Sequence, residues 1–297
     1  MGFLLRVSKH LITWWVPVVF LLDFAGYALG QDTAKQKDNE FGPLSRQLVQ
    51  DGFSPEKINA LFANDAVFFN PAGVSLFFIH SESSLDYDQF QSQKAIANAR
   101  AYIKKHKAIL NKAQEAYGVD KTVITAILLV ETRLGTYLGK RVVINTLATM
   151  AALTEKSLQD RIWKAIPAKK KPKPETFQKK VQKRIKWGYA ELKALIKYTE
   201  RENLPPETLK GSYAGAMGIP QFMPSNALTL AKDGNADGKV DLYNHADAIF
   251  SVANYLKHHG WKPGITRQKQ HKVLFQYNHS NYYVDTLLKI SDTLKEK

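Results

Sequence analysis

Cysteine is absent from all 297 residues, so the chain has no disulfide framework, no thiolate metal site, no cysteine nucleophile and no cysteine to carry a lipid. Acidic side chains are in deficit: 27 Asp and Glu against 42 Lys and Arg leave a formal charge of +15. An excess of this sign favours an anionic polymer as partner, whether nucleic acid, acidic glycan or membrane surface. Long apolar runs are nearly absent too. The run Leu11 to Leu22 follows Arg6 and Lys9, is broken by Asp23, and falls short of the roughly twenty residues that cross a bilayer. With small residues at Ala28 and Gly30, residues 1–30 are expected to be a cleaved secretory signal, the alternative being an uncleaved anchor. The mature chain is then expected to be exported, without a transmembrane span, to the periplasm or envelope of a bacterium. Export argues against nucleic acid as partner, and the missing Cys argues against a lipoprotein.

What is present reads as a globular protein, 44% apolar and 11% aromatic. Residues 31–39 are polar and expected to be loose. Ser54-Pro55-Glu56 looks like a helix start, Ser as cap and Pro at the first helical position. The aromatic stretch from Phe68 to Ile79 has no clear period. From Tyr87 to Tyr117 the spacing predicts helix ending at Gly118, and Ile144 to Leu153 predicts a third core helix. The basic, proline-broken segment from Ala168 to Pro174 predicts an exposed loop. After it comes an amphipathic helix with Phe177, Val181, Ile185, Tyr189, Leu192 and Leu195 on one side. Lys179, Lys180, Lys183, Arg184 and Lys186 lie mostly on the other, either as a solvated face or as a contact for an anionic polymer. Helix is again expected from Ala246 to His259 and from Asn281 onward. Strand alternation is scarce, so the chain reads as mainly α.

Three stretches carry candidate chemistry. In Asp120 to Gly135, an Asp cap and a terminal glycine frame a helix whose buried stripe contains Ile124, Ile127, Leu128 and, at the same spacing, Glu131. A carboxyl group in apolar surroundings keeps its proton near neutral pH, as a general acid must. The alternatives are a Glu paired with Arg133 or with a buried Lys, or a helix rotated toward solvent. In Gly211 to Ser225, glycines and prolines fix an irregular path. Tyr213, Phe222 and Met223 offer apolar faces and Ser212 and Gln221 offer hydrogen bonds, a combination suited to a sugar ring or, equally, to a packed turn. From Leu274 to Tyr283, aromatics are interleaved with amides and hydroxyls. Between the last two stretches, Asp233, Asn235, Asp237, Lys239 and Asp241 take the first, third, fifth, seventh and ninth places of an EF-hand loop, with Gly238 at the sixth. The twelfth place is Asn244 rather than Glu, and Asp247 is the carboxylate that would replace it. The spacing predicts a structural calcium ion; a plain Asp/Asn/Gly turn is the alternative. No zinc helix, phosphate-binding glycine loop or nucleophile elbow is present.

Together these segments resemble one family, the lytic murein transglycosylases of the membrane-bound type B class with their soluble relatives. The resemblance is carried by Tyr117-Gly-Val, Val130-Glu-Thr-Arg-Leu-Gly135, Leu147-Ala-Thr, Gly211 to Gly218 with Gln221 to Ser225, Asp247-Ala-Ile with Ser251 to Tyr255, His259-Gly-Trp and Tyr277-Asn-His-Ser280. It implies a lysozyme-like helical catalytic core over 91–297 with a basic insertion at about 155–186, an N-terminal helical extension over 31–90, and an EF-hand-like loop. It also implies cleavage of the β-1,4 bond between N-acetylmuramic acid and N-acetylglucosamine in peptidoglycan, ending in a 1,6-anhydro product. By the same resemblance Glu131 is the single acid/base. Arg133, Ser212, Tyr213, Gln221, Phe222, Tyr277, Asn278 and Tyr283 bind glycan, and Asp233 to Asp247 hold calcium, with no cofactor needed for the chemistry. Peptidoglycan strands are the implied partner, with cell-wall synthesis or remodelling proteins beside them. A catalytically silent glycan-binding scaffold, a hydrolytic muramidase and an adhesin acting through 164–186 are the competing expectations.

Overall fold

The computed structural model describes residues 40–79 and 86–296; the expected signal and the segment 31–39 lie outside the described residues. Helices dominate: α1 (40–50), α2 (Pro55–Ala63), α3 (Pro71–Ile79), α4 (Gln93–Lys105), α5 (Lys107–Tyr117), α6 (Lys121–Thr132), α7 (Val143–Ala151), α8 (Lys156–Ala165), α9 (Pro174–Glu202), α10 (Pro224–Leu230), α11 (His245–His258), α12 (Arg267–Tyr277) and α13 (Asn281–Lys295). Strands β1 (Arg141–Val142) and β2 (Lys210–Gly211) pair antiparallel, Arg141 opposite Gly211 and Val142 opposite Lys210.

Helix α6 is the centre of the molecule, packed by α13, α4, α11 and α5. Every residue from Thr122 to Leu129 is buried. Its apolar residues therefore cover the whole circumference, as expected of an enclosed helix, rather than one stripe. Its ends also differ from the expectation. Asp120 precedes it without a side-chain cap and pairs instead with Lys295 at 2.9 Å. The helix closes at Thr132, before Gly135, with Arg133 and Leu134 both left-handed at φ 50° and 61°.

The single helix expected over 87–117 is broken. A 3-10 turn, Asp88–Gln91, precedes α4, whose Ser92 caps it by accepting from Ala95 N at 3.3 Å. His106 then separates α4 from α5 without capping either through its side chain.

The N-terminal helices are tied into the same apolar core. Phe41 stacks on Phe62 at 4.9 Å, and buried polar groups of α7 satisfy the incoming backbone. Asn145 accepts from Phe68 N at 3.1 Å and donates to Ala66 O at 2.8 Å, while Thr149 accepts from Asn70 N at 2.8 Å. A buried amide so satisfied fixes one chain path rather than merely tolerating it.

The long α9 crosses α7 where Gly188 leaves room: a Cβ there would lie 2.7 Å from that of Met150. Lys180 of α9 donates to Phe78 O at 3.2 Å, anchoring its first half on α3. Buried Glu191 accepts from Ser225 N and Oγ at 2.9 and 2.8 Å, holding the start of α10.

Candidate active site

Glu131 is the penultimate residue of α6, half-buried. Its neighbour Thr132 is fully enclosed and fixes the rotation of this turn, donating to Ile219 O at 2.9 Å and accepting from Gly135 N at 3.0 Å. That bond ties the end of α6 to the glycine-rich segment. The phenol of Tyr283, buried in α13, donates to Glu131 Oε1 at 2.5 Å. Arg133, the alternative partner, turns elsewhere: its guanidinium donates to Gln89 at 2.6 Å. It also lines a cavity of about 580 Å³ with Phe90, Lys94, Tyr102, Lys105 and Leu129.

Rings build outward from that contact. Tyr277 stacks with Tyr283 at 6.5 Å, Tyr255 meets Tyr277 edge-on at 4.8 Å, and Phe222 lies 6.0 Å from Tyr277. Tyr277 donates to Pro220 O at 2.6 Å and Tyr255 to Gln276 O at 2.7 Å. Burial, and then the charge of Glu131, push the phenols of Tyr283 and Tyr277 well above their usual value. Burial raises Tyr255 to about 12. All three phenols are therefore proton donors throughout the neutral range, and the Tyr283 bond to Glu131 keeps one polarity.

The segment from Gly211 to Phe222 folds back on itself. Gly211 bridges to Met217 and Met217 to Phe222. Ser212 Oγ accepts from Ala214 N and Ala216 N at 3.1 and 3.2 Å, shaping the turn that displays Tyr213. Gln221, left-handed at φ 52°, donates to Gly218 O at 2.9 Å. The structure thus brings Glu131, Tyr277, Tyr283 and Phe222 together, with Gln221 one residue from Pro220. Asn278 is half-buried at the end of α12, immediately after Tyr277. Tyr87, which meets Tyr283 edge-on at 6.3 Å, belongs to the cluster and was missed in the sequence. It opens the stretch whose spacing predicts helix, but the structure sets it before a 3-10 turn, where helical spacing does not report what its ring faces.

The acidic loop is held differently from a ligand cage. Among the described residues no three Asp, Glu, His or Cys side chains converge as a metal centre. Asp233, Asn235, Asp237, Lys239, Asp241 and Asp247 lie on this one loop and on the first turn of α11. There the carboxylates close on backbone N–H groups of their own segment. Asp233 accepts from Ala236 and Gly238 at 2.6 and 2.8 Å, Asp237 from Lys239 at 2.9 Å, and Asp241 from Tyr243 at 2.9 Å. Buried Asp247 accepts from Gly234 and Asp241 at 2.8 and 2.7 Å. Asn244, at the place expected of Glu, caps α11 by accepting from Ala246 N at 2.7 Å. The donors remain all oxygen, the chemistry of a hard cation. Gly238 meets nothing within 4 Å and is required for its φ of +85°. The loop is clamped to α9 at Val240, whose N–H donates to Glu202 at 2.8 Å and whose carbonyl accepts from Tyr198 at 2.8 Å. Leu242 O in turn accepts from Ile219 N at 2.8 Å, so the loop braces the turn bearing Gln221.

Residues 36–270 match the family described as the transglycosylase SLT domain. The chain belongs to this family. Over 176 residues it is 32% identical to the membrane-bound lytic murein transglycosylase B of Escherichia coli strain K12. That match covers 59% of the chain and 41% of the relative, so it spans less than half of that protein's length. The fold is that of solved lytic transglycosylases. Soluble SltB1 from Pseudomonas aeruginosa superposes with a TM-score of 0.68 at 22% identity, over 87% of this chain and 98% of that one. Slt35 of Escherichia coli, solved in complex with calcium, gives 0.67 at 22% over 88% and 92%. SltB3 of Pseudomonas aeruginosa, in complex with NAG-anhNAM-pentapeptide, gives 0.69 at 20% over 89% and 79%. Family and lysozyme-like helical architecture are thus as expected from the sequence.

Proposed function

We propose that this transglycosylase-domain protein is a peptidoglycan lytic transglycosylase. It cleaves the β-1,4 bond between N-acetylmuramic acid and N-acetylglucosamine and ends in a 1,6-anhydro sugar, as part of cell-wall turnover. The observation that carries the reading is Glu131, half-buried at the end of the central helix with its carboxyl held by Tyr283 at 2.5 Å. Among the described residues Glu131 is the carboxylate whose charge raises both Tyr277 and Tyr283. A glycosidase that uses water needs a pair of carboxyl groups flanking the bond, whereas an internal nucleophile needs only one acid/base.

In the mechanism, Tyr283 occupies Oε1 of Glu131 as a donor, which places the transferable proton on Oε2. Glu131 passes that proton to the glycosidic oxygen as the bond to the anomeric carbon breaks. The carboxylate so formed then takes the proton of the muramic 6-hydroxyl while that oxygen bonds to the anomeric carbon. Ser212, Tyr213, Gln221, Phe222, Tyr277 and Asn278 bind the glycan strand. Mass spectrometry of products released from purified sacculi tests this: muropeptides lighter by one water are expected, and reducing muramic ends would identify a muramidase instead.

Calcium is proposed as a structural ion only, supported by the oxygen donors of the 233–247 loop and by the relative solved with calcium. The side chains of Asp233, Asn235, Asp237, Asp241 and Asp247 and the carbonyl of Lys239 would hold it, and its charge would offset theirs. Export to the periplasm is proposed from the leader-like first thirty residues and from the substrate; among the described residues no helix is long and apolar enough to cross a membrane.

A further inference from the structure

The basic insertion contributes no residue to the Glu131 cluster, yet it concentrates the charge of the chain. Residues 164–186 hold nine Lys and one Arg against one Glu, a net +9 out of the +15 of the whole sequence. The fold divides these cations. Lys180 and Arg184 turn toward α3: Lys180 donates to Phe78 O at 3.2 Å, and the Arg184 guanidinium lies 4.3 Å from the Phe77 ring centre. Lys179, Lys183 and Lys186, spaced by four and three residues, form a solvent-exposed stripe instead. Buried Phe177, Val181 and Gly188 lie about half a turn round the helix from it, so the stripe points directly away from the core.

Four more exposed lysines, at 169, 170, 171 and 173, gather at the N-terminal end of α9. Their segment has a fixed path: Lys170 N donates to Pro167 O at 2.8 Å in the 3-10 turn Ala168–Lys170, and Pro172 and Pro174 follow. Among the described residues none of the seven lysines pairs with a carboxylate. The arrangement works against the fold. Lys179 and Lys183 repel at i, i+4 spacing, and the lysines before α9 meet the positive end of its dipole, with Glu175 as the acidic residue in the first turn. A partner of opposite sign relieves both repulsions.

The stripe offers charge without shape. Trp187 and Tyr189 flank it, each about a quarter turn away, but Trp187 meets Phe77 edge-on at 5.7 Å and Tyr189 donates to Asp51 at 3.1 Å. No aromatic ring therefore joins the stripe, as stacking on a sugar would require. Ammonium groups are compact, strongly hydrated point charges rather than forks with a fixed bite. Such charges suit a plane of dense, laterally mobile headgroup phosphates, which rearrange beneath them.

We propose that Lys179, Lys183 and Lys186, together with the lysines of the 168–174 segment, form a docking surface for an anionic phospholipid bilayer, on which the protein rests peripherally. Docking of this kind uses no residue of the Glu131 cluster, so it goes beyond the catalytic reading and is tested apart from it.

The full chain is mixed with vesicles of phosphatidylglycerol and phosphatidylcholine, and with vesicles of phosphatidylcholine alone. The quantity read is the excess binding to the mixed vesicles, in which any contribution of the apolar run at residues 11–22 cancels. The triple variant Lys179→Gln, Lys183→Gln, Lys186→Gln is expected to lose about a hundredfold of that excess, each lysine near an anionic surface contributing about fivefold. Salt at about 1 M, where the screening length is about 3 Å, removes it in the parent chain. A second variant, Lys104→Gln, Lys107→Gln, Lys112→Gln, takes the same charge from exposed positions of α4 and α5 and keeps the excess, and circular dichroism confirms that both variants are folded. No excess on mixed vesicles, an unchanged triple variant, or equal loss in the two variants overturns the proposal. Sedimentation with purified sacculi is the competing arm: a larger loss there than on vesicles makes the stripe a wall-polymer contact and overturns lipid docking. Release of anhydromuropeptides from sacculi is expected to be unchanged in the triple variant, and its absence in the parent chain overturns the proposed activity alone.

Discussion

Tyr283 in α13 donates to Glu131 in α6 across 2.5 Å, joining residues 152 positions apart. The phenol remains protonated at neutral pH because burial and the facing carboxyl both oppose its ionisation. One oxygen of Glu131 is thereby held in place by a donor that does not titrate in the working range, the kind of support that keeps a reacting group oriented.

Glu131→Gln is expected to remove turnover by roughly two to four orders of magnitude, the range of a lost general acid/base, while the protein still sediments with sacculi. Tyr283→Phe keeps the ring stack on Tyr277 and is expected to lower kcat by about ten- to a hundredfold, the scale of a hydrogen bond to a charged group. Rates of anhydromuropeptide release from sacculi check both. A Tyr283→Phe variant with unchanged kcat would show that the bond positions nothing.

Gly139→Ala separates folding from chemistry. A Cβ at this residue would sit 2.0 Å from Gly211 O, at a φ of +87°. Neither the backbone oxygen nor the left-handed conformation can adapt cheaply, so about 3 kcal/mol or more of destabilisation is expected. The damage falls on the β1–β2 pairing that leads into Ser212 and Tyr213. Chemical denaturation gives the stability change, and glycan binding is expected to fall with it. Retained stability would mean that this crossing relaxes easily.

Much of this was legible in the sequence, for identifiable reasons. Family segments placed Glu131, Tyr277 and Tyr283 in one site, and three-to-four spacing found the bodies of α7, α9, α11 and α13. What failed depended on partners distant in sequence. Helix α6 ends at Thr132 rather than Gly135 because Thr132 bonds to Ile219. Helix α3 has no polar face for periodicity to find: it packs against α7 and α8. Helix α1 did carry Phe41, Leu44 and Leu48 at helical spacing, all buried, and was overlooked. Arg184 looked like one more charge in a lysine-rich face until the fold set Phe77 and Trp187 beside it.

Chelation tests the acidic loop. Its carboxylates are bonded to backbone N–H groups already, and Val240 is clamped by Glu202 and Tyr198, so the loop has a fold of its own. A bound calcium adds stability by mass action, about 2.7 kcal/mol at a hundredfold excess over Kd. Excess chelator is therefore expected to lower Tm, and calcium to restore it where magnesium does not. Since Leu242 supports Ile219, glycan binding should weaken in parallel. An unchanged melting curve would count against a structural ion.

Acid sensitivity is the last expectation, and its sign follows from His106. The ring sits 4.3 Å from that of Tyr102 and 4.7 Å from that of His245, and its Nε2 is buried without a hydrogen-bond partner. Burial, then the charges of His245 and Lys105, draw its pKa below 6.5. The unfolded chain therefore binds the proton first as pH falls. Stability contributed by the neutral ring is whole above the unfolded value of 6.5, declines as pH drops through it, and is fully lost below the lower folded pKa. His245 and His259 shift in the same direction, so the three histidines add in sense. Denaturation midpoints are expected to fall from about pH 7.5 to about pH 5.5. His106→Phe, which keeps the ring contacts and removes the proton site, should flatten part of that slope. An equal slope in the variant would place the acid sensitivity in His245, His259 or other groups.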